Sequence, residues 1–356
     1  MQPAFSGTGH LAVWIVALAG ILLSPILTAL IVSPETRYLV MSKRVGPSDW
    51  HTNQVLKKTG PLDILVLGNS RMLMAINHAA LREDVHTPDG PLRSETIAAR
   101  FNGYDLSYTF LKDFFIHRHA RLVVLNYPDI PQIDNHPGQK YLRTLGQADP
   151  GLDIKIPSLA VTNYAEMAMI GPRLALASII RPGSLTRQGY RTMEDFPDFD
   201  RTRGSWTPDE GYEENKTSPR AAFVRYDSPD KPQQAIIISP GASLPAGVIL
   251  TDRPLTPIES AYLPAIKALC EKNGAILAFM QLPMANSEGP IEISSQVLAL
   301  RVPIIAASSE MMFGNISADH IKENYYDRLH FNSNGSRRSA EVFGPALQAL
   351  LQQTRG

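Results

Sequence analysis

Asp63-Ile64-Leu65-Val66-Leu67-Gly68-Asn69-Ser70-Arg71 is the stretch that decides how this chain is read. An unbroken aliphatic run of this length, closed by a glycine, fits a strand buried on both faces, as in a parallel sheet. The serine then falls on a strand-to-helix turn, with its hydroxyl at the sheet edge. About 260 residues later comes Tyr326-Asp327-Arg328-Leu329-His330-Phe331. An Asp and a His three apart on a turn lie side by side. The carboxylate can accept from imidazole Nδ1 and leave Nε2 to face a serine. A hydroxyl is a poor nucleophile until such an imidazole takes its proton. The spacing therefore predicts a triad of Ser70 as nucleophile, His330 as base and Asp327 as orienting acid.

Outward from Ser70 the pattern alternates in α/β fashion. Met72–Leu81 suits a helix, Thr96–Phe101 a strand closing on Asn102-Gly103, Tyr108–His119 a helix, and Arg121–Leu125 a strand ending at Asn126-Tyr127-Pro128. The rhythm returns with a helix over Pro257–Asn273, stopped by Gly274, and a strand over Ala275–Gln281. Val302–Ala306 reads as a further strand and Ser336–Gln352 as a final helix. The fold class is α/β, a three-layer sandwich around a central parallel sheet. Residues 61–356 form the body, and an irregular insertion covers about 130–256. Within it Ala160–Ile180 has a helical pattern, while 182–234 is rich in Pro, Gly, Asp and Arg. In open parallel sheets ligands sit beyond the carboxyl ends of the strands. Ser70, Asn102-Gly103 and Asn126 should gather on that edge.

Residues 1–10 form a short tail. Leu11–Val32 is an uncharged apolar run of 22 residues, where a bilayer span needs about 20. Pro25 is tolerated in such a span. A cleaved signal peptide fits less well, because no positive residue precedes the run and the run is too long. The expectation is one transmembrane helix over 11–32, joined by a polar connector over 33–60. Arg37, Lys43 and Arg44 follow the span, which by the positive-inside rule favours a cytoplasmic body.

The 356 residues carry 34 Lys plus Arg and 34 Asp plus Glu. That balance gives no electrostatic reason to expect a nucleic-acid partner. The single cysteine, Cys270, sits in a helical pattern as a buried small residue and excludes an intrachain disulfide. His117 and His119 are two apart, which is not a helical ligand spacing. Asp195, Asp198 and Asp200 lack the glycine and closing glutamate of a calcium loop. No metal or organic cofactor is expected. Trp206, Tyr212 and Tyr226 in the insertion could stack on sugar rings or bury a small cap.

Gly68-Asn69-Ser70, Asn102-Gly103 and Asp327-Arg328-Leu329-His330, followed by Phe331 and Gly335, resemble the blocks of the SGNH/GDSL hydrolase superfamily. The likeness covers about 63–126 and 257–350. It is closest in kind to membrane-anchored envelope proteins of alginate O-acetylation and of D-alanyl transfer to teichoic acid. The resemblance implies a flavodoxin-like sheet and acyl-ester chemistry on an exported polysaccharide, with acetyl as the expected acyl group. It also implies a membrane-bound acyl donor protein, and a single-pass inner-membrane anchor with the body outside, against the charge rule. Its oxyanion hole would use the N–H groups of Ser70 and Gly103 and a side-chain amide from Asn126. Arg71 could bind an anionic group of the substrate or close a salt bridge in the fold.

Two features depart from the superfamily pattern. Asn69 stands where Asp is usual, and Asn126-Tyr127-Pro128-Asp129 lacks the usual order of the third block. They motivate a second reading, a non-catalytic, membrane-tethered scaffold or glycan-binding component of a polysaccharide-export complex. A cytoplasmic-facing lipid or thioester hydrolase is a third. Ser70 also suits a helix N-cap, His330 a structural hydrogen bond and Asp327 a solvated turn.

Overall fold

The computed structural model describes residues 8–45, 50–88, 90–142, 152, 156–180, 204–207, 211–214, 232–285, 287, 289–314, 324–325 and 327–354. Ten strands are described: β1 Leu62–Gly68, β2 Ser94–Ala98, β3 Ala120–Asn126, β4 Gly204–Thr207, β5 Gly211–Glu214, β6 Ile236–Ile238, β7 Val248–Thr251, β8 Ile276–Gln281, β9 Ile291–Ser294 and β10 Ile304–Ala306. The central sheet has six strands in the order β2-β1-β3-β8-β10-β6. All neighbours pair in parallel except β10 with β6. The architecture is mixed α/β around a mostly parallel sheet.

Both faces of this sheet are covered. Along β1, Ile64 and Val66 face one way and Leu65 and Leu67 the other, so every residue of the run is buried. Leu65, Leu67, Val123, Leu125 and Phe279 pack with the helices Tyr104–His117 and Pro257–Lys272. Ile64, Val66, Val124 and Met280 pack with the helices Ser70–Ala75, His78–Asp84 and Ser333–Gln353. This two-sided burial is what an uninterrupted apolar strand requires.

Local signals explain several boundaries. Thr256 and Glu259 form a reciprocal capping box at Pro257–Lys272, and Gly274 ends that turn with φ +68. Cys270 is buried in this helix. The helix expected over Met72–Leu81 is broken. Asn77 accepts from Ala80 N–H and starts a second helix at His78. The short polar side chain competes for the backbone in mid-pattern.

The polar connector over 33–60 also contributes to the core of the body. Its helix Pro34–Val45 buries Tyr38 and Met41 in the main core, and Tyr38 Oη donates to Asp113 at 2.7 Å. One expectation needs correction: the irregular insertion ends earlier than 256. Ile236–Ile238 adds the antiparallel edge strand, and Val248–Thr251 pairs in parallel with β9.

The helix Thr8–Ile31 covers the apolar N-terminal run. Several of its side chains lie outside the described residues. Among the described residues no helix is long and apolar enough to cross a membrane. A second long helix, Pro157–Ile180, packs against it. Ser24 Oγ donates to the Ala168 carbonyl at 3.2 Å, Thr28 meets Gly171, and Val32 packs on Leu174 and Ala175. A Cβ at Gly171 would collide with Thr28, so glycine permits this approach.

Candidate active site

Ser70 is the first residue of its helix, immediately past the carboxyl end of β1. Asn69 caps that helix by accepting from the N–H groups of Arg71 and Met72 at 3.0 and 3.4 Å. Its Nδ2 donates to Asn102 Oδ1, and Asn102 Nδ2 donates to the Ile130 carbonyl at 2.7 Å. An aspartate at this position could cap but could not donate to Asn102. The asparagine thus has a structural use: it ties the turn after β1 to the turn after β2.

The structure brings Ser70, His330 and Asp327 together. Ser70 Oγ and His330 Nε2 are 2.8 Å apart. His330 Nδ1 lies 2.8 Å from Asp327 Oδ2 and 3.0 Å from Oδ1. The carboxylate fixes the ring proton on Nδ1 and leaves Nε2 to accept from the serine. Asp327 Oδ1 also accepts from the N–H groups of Leu329 and His330 at 2.7 and 2.9 Å. Partial burial raises the Asp327 pKa, but the bonds from His330 and the two amides outweigh it and bring it down to about 2. Asp327 is therefore a carboxylate at any ordinary pH.

Gly103 is the N-cap of Tyr104–His117, in the turn after β2. A Cβ there would lie 2.7 Å from the His136 ring. His136 accepts from Gly138 N–H through Nδ1 at 3.0 Å, so its Nε2 carries the proton and donates to the Arg100 carbonyl. Between Arg100 and Gly103, Phe101 adopts φ 65, a left-handed conformation unusual for a bulky side chain. Its ring is 61 % exposed at the mouth of the cleft. Among the described residues the N–H groups of Ser70 and Gly103 have no backbone acceptor, and Ser70 lines the cleft.

Other expected residues fall elsewhere. Asn126 is buried and does not line the cleft. Its Nδ2 donates to Tyr104 Oη at 3.0 Å, so its amide is not presented to the oxyanion position. Arg71 lines the cleft but is held inside the fold. It pairs with Asp129, and its Nη2 donates to the Leu282 carbonyl at 2.6 Å. Of the two expectations for Arg71, the salt bridge is present, and it fastens the turn at Ser70 to the loop after β3. Trp206 is the register partner of Tyr212 in the β4–β5 hairpin, whose β5 strand lies beside the Ser70–Ala75 and Ser333–Gln353 helices. The Trp206 side chain, Asp195, Asp198, Asp200, Tyr226 and Tyr326 lie outside the described residues. Among the described residues no His, Cys, Asp or Glu cluster could hold a metal.

The cleft beside Ser70 has a volume of about 680 Å³. Sequence reasoning missed its far wall, the loop from Ile130 to Pro137, because nothing local marks that loop as facing Ser70. Comparison of the chain with protein-family models, curated proteins and solved structures finds no match.

Proposed function

We propose that the chain is a membrane-anchored serine acyl-esterase or O-acyltransferase of SGNH type, acting on an exported polysaccharide. The observation that carries this reading is the continuous relay Ser70–His330–Asp327, with 2.8 Å at each step. Ser70 Oγ attacks the acyl carbonyl while His330 Nε2 takes the hydroxyl proton. The N–H groups of Ser70 and Gly103 receive the developing oxyanion. His330 then protonates the leaving alkoxide, and the acyl group remains on Ser70. Water or a sugar hydroxyl, deprotonated by His330, takes the acyl group and regenerates the serine. In the transfer version the acyl group, acetyl in the alginate-like case, comes from a membrane-bound donor protein.

The sheet order β2-β1-β3-β8-β10 supports a flavodoxin-like SGNH body, with Ser70 beside the switch point between β1 and β3. The Thr8–Ile31 helix supports an anchor. Its 24 residues contain no Asp, Glu, Lys or Arg. Leu11, Val13, Trp14, Ile15 and Val16 on it are exposed, an arrangement water disfavours. We place the body outside the cytoplasm, anchored in the inner membrane of an envelope. Arg37 opposes this placement less than its sequence position suggests, because it is buried near the Asp113 charge. The scaffold reading loses one motive, since Asn69 has a structural use.

The test is labelling of the detergent-solubilised full chain with a fluorophosphonate probe, mapped by mass spectrometry. We expect an adduct on Ser70 that vanishes in Ser70→Ala and His330→Ala. Folded protein with no adduct would sink the triad.

A further inference from the structure

We infer that the cleft beside Ser70 is a binding site for an acyl chain well beyond acetyl in length. This rests on the acyl-enzyme reading above and names the substrate class of that same site. Once Ser70 Oγ carries an acyl group, the rest of that group must lie in the cleft or leave it for water. What the walls present decides which.

Most polar side chains lining the cleft already have partners within the protein. Asn69 and Asn102 bond each other, the helix amides and the Ile130 carbonyl. Arg71 is paired with Asp129 and the Leu282 carbonyl, and of its nitrogens the buried Nε has no partner. Gln132 donates to Asp105 at 2.6 Å and accepts from Tyr104 N–H at 2.7 Å. Both ring nitrogens of His136 are bonded, and Asn135 donates to Asn163. Arg100 lies over the Phe101 ring. Asp134 is the exposed carboxylate at the rim. A sugar ring needs several free hydrogen-bonding groups for its hydroxyls, and this wall offers few.

The apolar side chains are the ones left facing the cleft. Phe101, Ile130, Ile133 and Leu329 lie along it over the buried Met74, and Ile133 is 76 % exposed. Apolar surface left open next to a reactive serine is complementary to hydrocarbon. A volume of about 680 Å³ lies within the range of roughly 300–1,000 Å³ typical of small-molecule sites, far more than an acetyl group fills. The rim is also tied to the apolar helices. Asn135 bonds Asn163 on Pro157–Ile180, which packs on Thr8–Ile31. An amphiphilic donor held at those helices would present its chain to the mouth.

The step balances simply. Ser70 Oγ forms the new ester bond to the chain's carbonyl carbon and the donor's C–O bond breaks. The serine proton passes through His330 to the donor alkoxide, and no oxidant or reductant takes part.

The experiment uses the detergent-solubilised full chain with p-nitrophenyl acetate, butyrate, hexanoate and octanoate. Fluorophosphonate labelling of Ser70 runs alongside. Each methylene that becomes buried should raise kcat/KM by roughly fourfold. We expect octanoate to exceed acetate by about 100-fold, corresponding to three or four buried methylenes. Ile133→Ser, at an exposed position that folding does not depend on, should narrow that ratio several-fold. Acetate turned over as well as octanoate, with Ser70 labelled, overturns the chain site and leaves the triad standing. A ratio unmoved by Ile133→Ser likewise overturns it. No ester cleavage and no label on Ser70 would overturn the esterase reading and this inference together.

Discussion

Asn69 and Arg71 reach out of the nucleophile turn to Asn102, Asp129 and the Leu282 carbonyl. Asp327, in contrast, directs its oxygens to Leu329 N–H, His330 N–H and the His330 ring, all within its own turn. The nucleophile side is buried and held by three separate segments. The base side is a partly exposed loop, closed at its neck by the Tyr325–Phe331 bridge and the packing of both rings on Phe313. Its Arg328 carbonyl accepts one outside bond, from Ala285 N–H at 3.0 Å. The two halves of one relay are thus built differently. The serine is positioned by the sheet. The histidine is positioned by a local carboxylate.

The largest effect should come from breaking the relay at its centre. Ser70→Ala and His330→Ala should each lower ester turnover by about 10⁶, and the double variant should lose little more, because the two groups act as a unit. Losses that instead multiplied would mean that the two residues act separately. Asp327→Asn tests the base side alone. It keeps the shape of the turn but favours the wrong imidazole tautomer, so kcat should fall by about 10⁴. Thermal stability should change little, since the turn is partly exposed. A small loss in kcat would show that the bridge and the aromatic neck, rather than the carboxylate, orient His330.

Asn69→Asp tests the nucleophile side. The capping bonds survive, but the bond to Asn102 does not. If Asn102 turned its amide to donate to the introduced carboxylate, its oxygen would face the Ile130 carbonyl. One repulsive contact is unavoidable in either orientation. We expect kcat/KM to fall by roughly 10- to 100-fold, equivalent to a buried hydrogen bond lost near the oxyanion position. Unchanged kinetics would show that the Asn69–Asn102 tie does not position Gly103.

What the sequence made legible follows the same division. Strand β1, the serine at its end and the Asp327–His330 offset are local patterns, readable from period and spacing. The Pro257–Lys272 helix is equally plain, with its cap, proline and terminal glycine. The polar residues that tie the strand ends together are not. Asn126 stands at the right strand end but turns inward to Tyr104. Position along a strand predicts which edge a residue occupies, not what its side chain finds there. His136 and Phe101 meet only through the folding of the loop after β3. The Ile236–Ile238 strand is too short to carry a period, and only pairing with β10 identifies it.

Acid titration is the mildest way to separate the two sides. His51 supports the nucleophile side, because its Nε2 donates to the carbonyl of Ala98 at the end of β2, at 2.7 Å. Burial pushes its pKa from 6.5 down to about 4. In the unfolded chain the ring takes a proton near 6.5, so the neutral buried form stabilises the fold above that pH. This contribution is lost as pH falls from about 6.5 to 4 and amounts to ~3 kcal/mol at most. His136 is lowered in the same direction by burial and adds to the effect. Asp327 behaves differently. Its depressed pKa stabilises the fold above the ordinary value of 3.8 and is lost only between there and about 2. Denaturant melts between pH 7 and 4 should therefore show a falling stability that His51→Gln flattens, since glutamine can donate to Ala98 without titrating. Asp327→Asn should leave the slope over that range unchanged. A slope that followed Asp327→Asn instead would mean that the base side, not the nucleophile side, yields first to acid.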